Sequence, residues 1–160
     1  MPTTLIPAVR SALVDLFDAA LAAEDCSAYL GYPVDADPGN KVMVGVDDPM
    51  SLSAAPVGEA QLAWRTYGAG QPGGTREERA DINCALFVSN GDGDAASADE
   101  NAFHFLDLCH AAIVAQQDLG VAGCAWALIS SVRPYADQDD EGAALLLVFT
   151  VSYLGYLTTT

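Results

Sequence analysis

The apolar run from Ala144 to Tyr156, near the end of the chain, is the feature of the sequence that most restricts the possible folds. Successive side chains of a β-strand point to opposite faces, so the run divides into two sets. One set is Leu145, Leu147, Phe149, Val151 and Tyr153, and the other is Leu146, Val148, Thr150, Ser152 and Leu154. Both sets begin apolar, which predicts a long central strand that is covered on both faces.

Alternation and a high content of β-branched and aromatic residues predict four further strands, at 41–46, 61–67, 78–88 and 124–133. In the third of these, one face carries Ala80, Ile82, Cys84, Leu86 and Val88. In the fourth, one face carries Trp126, Leu128, Ser130 and Val132. The glycine-rich stretch 68–75 predicts that the second and third strands form a hairpin with a long, flexible tip.

Apolar residues at spacings of three and four predict two helices. The first begins after Thr3 or Thr4, ends near Cys26, and has an apolar stripe of Ile6, Val9, Leu13, Leu16, Phe17, Ala20 and Leu21. The second spans 97–119 and begins with a capping box, in which Ser97 and Glu100 satisfy each other's backbone N–H groups. Its predicted stripe is Ala102, Phe103, Leu106, His110, Ile113, Val114 and Gln117.

The predicted order of elements is therefore α-β-β-β-α-β-β, with connections of the hairpin type. This order is typical of an α+β fold in which a mainly antiparallel β-sheet is packed by two α-helices. The length of 160 residues fits a single domain over residues 1–160, with a loop-rich segment at about 31–60.

The chain is strongly acidic, which argues against two classes of partner. It has 22 Asp and Glu against 6 Lys and Arg, a formal net charge of −16. Sequence-independent binding of nucleic acid, and adhesion to anionic membranes, both require clustered Lys and Arg. No stretch approaches 18 uninterrupted apolar residues, so we expect no membrane span.

No sequence pattern points to catalysis or to a cofactor. Cys26, Cys84, Cys109 and Cys124 lie far apart and form no CxxC pair, which favours reduced, buried thiols over disulfides or zinc ligands. The stretch 68–75 resembles a P-loop, but Gly74 stands where the phosphate-binding lysine is required. We therefore expect no catalytic residues, no metal and no cofactor.

The sequence of elements resembles the tail terminator proteins (minor tail or tail-completion proteins) of long-tailed, siphovirus-type bacteriophages, above all those of actinobacterial hosts. The resemblance extends from about residue 3 to residue 157. It rests on the first helix, the hairpin that ends in 78–88, the Asn-Gly-Asp-Gly-Asp turn at 90–94, the capped second helix, and the acidic turn that opens the strand at 142–153.

The resemblance implies a structural virion protein of the tail or neck, made in the host cytoplasm. It implies a ring, typically of six copies, that caps the tail tube, ends its polymerisation, and joins it to the head connector. The partners are then the chain itself, the tail tube protein and a head connector or completion protein. DNA passes without specific binding, and no membrane is involved.

Two sets of residues are candidates for this function. Candidate interface residues are Gln71, Arg76 and Arg79 on the hairpin arm, together with Met50 and Leu52 in the preceding loop. Candidate acidic residues facing the lumen of the ring are Asp137, Asp139, Asp140 and Glu141. Like charges on the lumen wall would keep DNA sliding, although the same acidity could simply confer solubility.

Two other functions remain open on the sequence alone. One is a head-completion or connector protein of the phage neck, because such proteins share this size and composition. The other is a small acidic cytosolic enzyme or ligand-binding domain. It would use a pocket between the second helix and the sheet, with His104, Cys109 or Trp126 as candidate residues.

Overall fold

The computed structural model describes residues 3–31, 33, 39–46, 61–67, 74–90, 94–139 and 142–159. Within these residues the order of elements is α1 (Ile6–Ala20), β1 (Cys26–Leu30), β2 (Asn40–Val44), β3 (Gln61–Tyr67), β4 (Gly74–Asn90), α2 (Ala95–Ala115), β5 (Cys124–Asp139) and β6 (Gly142–Thr159). The predicted α+β class is confirmed: a mixed, mainly antiparallel sheet packs against two helices.

The sheet has the strand order β1-β2-β4-β6-β5, and β3 also pairs with β4. β6 pairs with β4 along nearly its whole length and with β5 on its other side, so the predicted central position of this strand is confirmed. β2 and β3 share the other edge of β4. All pairs are antiparallel except β1 with β2, which is parallel.

The main core lies between the helices and one face of the sheet. α1 contributes Val9, Leu13 and Phe17, and the ring of Phe17 meets that of Phe149 on β6 edge-on, with centroids 6.0 Å apart. All five residues predicted on one face of β4, and the odd-numbered set of β6, are buried in this core. The alternation in the sequence therefore identified the inward faces of both strands.

The opposite face of the sheet carries a second, smaller apolar cluster at one end. Met43, Val46, Ala85 and Leu146 form a small buried cluster there. Farther along, Ser152 donates a 2.6 Å hydrogen bond to Asp81, and Thr150 donates one of 3.4 Å to Asn83. This face of β6 thus changes from buried Leu146 to half-buried, polar Thr150 and Ser152, and it is apolar and buried again at Leu154.

The element order contains one strand that was not predicted. α1 ends at Ala20 rather than near Cys26, and Cys26 instead begins β1. The five residues of β1 do alternate, with Cys26, Ala28 and Leu30 on one face, but so short a run does not distinguish a strand from the end of a helix. The predicted order is therefore corrected to α-β-β-β-β-α-β-β.

Both hairpins are confirmed as antiparallel pairs, but their strands run farther than predicted. β3 pairs with β4 from Gln61 opposite Asp81 to Tyr67 opposite Thr75, so residues 74 and 75 belong to β4 rather than to a flexible tip. β5 and β6 extend to Asp139 opposite Gly142. Residues 137–139 and 142, which the sequence predicts to be part of an acidic turn, are thus paired in the ladder.

α2 begins two residues before its predicted start. Asp94 occupies the N-cap position, and its carboxylate accepts from the backbone N–H groups of Ala96 and Ser97 at 3.1 and 3.3 Å. The Ser97 hydroxyl donates a 2.7 Å hydrogen bond to the same carboxylate, so Ser97 supports this cap instead of forming its own. These hydrogen bonds from Ser97 lower the pKa of Asp94. The described helices include none that is long and apolar enough to cross a membrane.

Candidate functional site

Among the predicted interface residues, Arg76 and Arg79 fall within the described part of the chain. Gln71, Met50 and Leu52 lie outside it. Arg76 and Arg79 are three residues apart on β4, so they lie on opposite faces of the sheet. The guanidinium of Arg76 donates to the carbonyl of Thr3, and Arg79 Nε donates a 2.7 Å hydrogen bond to Glu77. The two arginines therefore bind groups of their own chain and form no shared surface.

Two of the four predicted acidic residues, Asp137 and Asp139, lie within the described residues, at the end of β5. Asp137 and Asp139 are on β5, opposite Ala144 and Gly142 of β6. Asp140 and Glu141, which follow them, lie outside the described residues. The backbone of β5 thus places the described part of this group on a strand.

The residues proposed for an enzymatic pocket do not come together. His104 is exposed on α2, and its Nε2 lies 3.1 Å from a carboxylate oxygen of Glu24. Cys109 is buried in the core beneath α2. Trp126 pairs with Leu154 on β6, which puts it on the face of the sheet away from the helices. The three side chains therefore point to three different environments.

All four cysteines are buried and unreactive in character. Burial is the largest cause that raises the pKa of Cys26, Cys84 and Cys109 to about 12 and that of Cys124 to about 11. Because the thiolate is the nucleophile, these groups stay in the inert thiol form at neutral pH. Within the described ranges, no three His, Cys, Asp or Glu side chains are grouped so that they could hold a metal ion.

The sequence reasoning missed a buried carboxylate, that of Glu78 on β4, which has no exposed surface. One of its oxygens accepts from the backbone N–H of Leu5 at 2.8 Å, from the Thr4 hydroxyl at 2.9 Å, and from the Tyr153 hydroxyl at 2.5 Å. Leu5 is the N-cap residue of α1 and has no side-chain cap of its own. Glu78 therefore caps α1 from the sheet, where its negative charge also meets the positive end of the helix dipole.

A sequence signal for this residue exists. Glu78 is on the same face of β4 as the apolar set that begins at Ala80, so it is a charged residue at an inward position. An ionised group in such a place must be paired or hydrogen-bonded. The partners, however, lie more than seventy positions away along the chain.

The outer strands of the sheet expose apolar side chains. β1 and β5 are the two ends of the strand order. Leu30 on β1 is 51% exposed, and Leu128 and Val132 on β5 are 44% and 41% exposed. Outer strands also present backbone groups that have no neighbouring strand. These two edges are the described surfaces best suited to contact another chain.

Arg133 adds a positive charge to the β5 edge. Its side chain is exposed, and its Nη1 donates a 3.4 Å hydrogen bond to the hydroxyl of Tyr135, which raises the pKa of the guanidinium. By contrast, the single lysine, Lys41, is buried with its ammonium 5.7 Å from the centre of the Phe87 ring. In a chain with a net charge of −16, an exposed arginine on an edge strand is a distinctive feature.

Comparison with known proteins does not assign this chain to a group. No protein-family model matches the sequence. No curated protein matches it either.

Proposed function

We propose that the chain is a structural subunit of a long-tailed bacteriophage virion that assembles into a ring on the end of the tail tube. In this role it ends the polymerisation of the tube and joins it to the head connector. The observation that carries the proposal is the pair of outer strands, β1 and β5, which expose apolar side chains at opposite edges of one sheet. The order of helices and hairpins, which resembles that of tail terminators, supports it.

A closed ring requires that one surface of each copy bind a different surface of the next. A sheet with two dissimilar exposed edges supplies such a pair of surfaces. Within the described residues, His104, Cys109 and Trp126 do not converge on a pocket, and the four cysteines are buried thiols. The proposed function therefore depends on the surface of the chain rather than on an internal site.

The charge of the chain is compatible with a channel for DNA. A ring of six copies would carry six times the formal charge of −16. An acidic wall repels phosphate groups, so DNA would pass without being held. Asp137 and Asp139, on a strand at the end of the β5–β6 hairpin, are the described candidates for the lumen. The proposed location is accordingly the tail or neck of the virion.

The test adds the purified chain to polymerising tail tube protein and measures tube lengths by negative-stain electron microscopy. We expect shorter tubes with a ring of added density at one end, and no effect from an unrelated acidic protein of the same size. Unchanged tubes that carry no added density would contradict the proposal. Binding to purified head connectors but not to tubes would instead support a neck-completion protein, and turnover of a small molecule by a monomer would support the enzyme alternative.

A further inference from the structure

One exposed apolar residue of each sheet edge, Leu30 on β1 and Val132 on β5, lies in the same row of the sheet, whereas Leu128 on β5 pairs with Ser152 in a different row. Leu30 on β1 is in register with Val44, which is in register with Cys84 on β4. Cys84 pairs with Phe149 on β6, and Phe149 pairs with Val132 on β5. Leu30 and Val132 therefore end the same row at opposite edges, and both lie on the face of the sheet that carries the helices.

The neighbouring row ends in a cation and an aromatic ring. Tyr29 on β1 is in register with Met43, and Met43 with Ala85 on β4. Ala85 pairs with Val148, which pairs with Arg133. Tyr29 is half-buried and Arg133 is exposed, and an arginine over a tyrosine ring is an attractive pair.

The residues that end each row can contact each other between neighbouring copies if those copies are related by a rotation with no shift along the strands. In a closed ring whose axis runs along the strands, neighbouring copies have no shift in the strand direction, so the two ends of one row meet. The pairings also make β1 and β5 run in opposite directions, since three antiparallel steps and one parallel step separate them. The two edges would thus meet as antiparallel strands.

We infer that the β5 edge of one copy docks against the β1 edge of a second copy, with Val132 against Leu30 and Arg133 against Tyr29. The inference rests on the proposed function, because it supplies the contact that closes the ring. The partner of each edge is therefore another copy of the same chain. In these two matching rows, each edge presents an exposed apolar side chain and one member of a cation–aromatic pair.

Side chains, rather than a continuous ladder of backbone hydrogen bonds, would dominate this contact. The next row pairs Ala28 with Pro134. The N–H of Ala28 already donates to the carboxylate of Asp18 at 3.2 Å, and proline has no N–H. A register shift between Ile129 and Ser131 interrupts β5 on the other side of Val132. The short stretch between these interruptions therefore depends on its side chains for affinity.

Cysteine cross-linking tests the contact directly. Leu30→Cys and Val132→Cys are introduced separately and together, and a mild oxidant is added at high protein concentration. We expect the double variant to give a ladder of covalent oligomers that stops at the ring size, and a mixture of the two single variants to give only dimers. The buried native thiols should leave the wild type uncross-linked, as should Val114→Cys, an equally exposed position on α2.

Cross-linking of either single variant with itself would overturn the inference, because it would mean that an edge meets its own copy. Absence of oligomers in the double variant would also overturn it. The tube-capping assay on the wild type is independent of this test. A chain that caps tubes but does not cross-link refutes the contact alone, and one that cross-links but does not cap tubes refutes the proposed function alone.

A charge exchange gives a second measurement, by sedimentation velocity. Leu30→Asp and Val132→Lys should each weaken self-association at least tenfold, and the two together should restore it while keeping the formal charge of −16. Tyr29→Leu and Arg133→Gln should each weaken association about two- to fivefold, with no further loss when combined. Lack of rescue by the double exchange, with unchanged circular dichroism, would contradict the contact.

Discussion

Glu78 joins two parts of the chain that are far apart in sequence. Its buried carboxylate binds the start of α1 through Thr4 and Leu5, and the central strand β6 through Tyr153. Burial, and then the hydrogen bond to this carboxylate, raise the pKa of Tyr153. The arrangement satisfies a charge that would otherwise be costly to bury, and it fixes the position of α1 on the sheet.

Replacing this residue should be costly. We expect Glu78→Ala to lower the free energy of unfolding by roughly 3 kcal/mol, because it leaves two buried donors and one half-buried donor without their acceptor. Tyr153→Phe, which removes one of these donors, should cost about 1 kcal/mol. Urea denaturation followed by circular dichroism measures both, with the exposed Asp99→Ala as a control. Equal stabilities for Glu78→Ala and the control would show that the cap contributes nothing.

The buried thiols predict a loss of stability in alkali. Burial raises the pKa of Cys84 from 9.0 to about 12, so the unfolded chain ionises this thiol at a lower pH than the folded chain does. Its contribution is complete below pH 9 and is lost as the pH rises from about 9 to 12. Between pH 8 and pH 10, Cys84→Ala should therefore lose about 1 kcal/mol less stability than the wild type. Parallel pH profiles for the two proteins would contradict this.

At the scale of elements, the start of β5 is held against β6 and α1 by close backbone contacts. Gly123 has a φ of +93°, and a Cβ there would lie 2.7 Å from the carbonyl oxygen of Tyr156. The N–H of Tyr156 donates to the carbonyl of Gly123 at 2.8 Å. At Gly155 on β6, which pairs with Cys124, a Cβ would collide with the side chain of Leu5. The helix and both strands can approach each other here because neither glycine has a side chain.

Two neighbouring glycines provide a matched test of this packing. We expect Gly123→Ala to lower the free energy of unfolding by about 3 kcal/mol, since it combines a left-handed backbone with a collision against backbone atoms. Gly120→Ala has a similar φ of +69°, but its Cβ would meet only the flexible Gln116 side chain. It should cost about 1 kcal/mol. Thermal denaturation of both variants checks the difference, and equal losses would mean that the backbone contact is unimportant.

At the scale of the whole molecule, the net charge opposes the association that we propose. Copies that each carry −16 repel one another, whereas the inferred edge contact is mainly apolar with one cation–aromatic pair. Salt largely screens the interaction between exposed charges that are farther apart than the Debye length, which is about 10 Å at 0.1 M and about 3 Å at 1 M. Repulsion between whole molecules is therefore weakened more than the close contact is.

We therefore expect self-association to strengthen with salt. The oligomeric fraction in sedimentation velocity should rise severalfold between about 0.05 and 0.5 M NaCl, as screening removes the repulsion between acidic copies. The Leu30→Asp variant, whose edge contact is disrupted, should stay monomeric over the same range. Dissociation of the wild type by salt would indicate that ion pairs, rather than apolar side chains, hold the copies together.

The sequence alone determined the fold class, the central position of β6 and the inward faces of β4 and β6. These features follow from the alternation of apolar residues within each strand. The tertiary structure decided which face of α2 is buried. The predicted stripe of α2 included Phe103 and Val114, which are exposed, and omitted Phe105 and Cys109, which are buried, because an Ala-rich helix has several possible apolar faces.

The candidate site was the least predictable part. Leu128 and Val132 were predicted on one face of β5, but the register shift after Ile129 places them on opposite faces. The alternation of β1 covers only five residues, too few to identify a strand, and the hydrogen-bond partners of Glu78 lie elsewhere in the chain. The alternation of apolar residues records only whether each position is buried. Register shifts, sheet edges and hydrogen bonds between distant residues depend on which strands and helices become neighbours, and that is established only when the chain is folded.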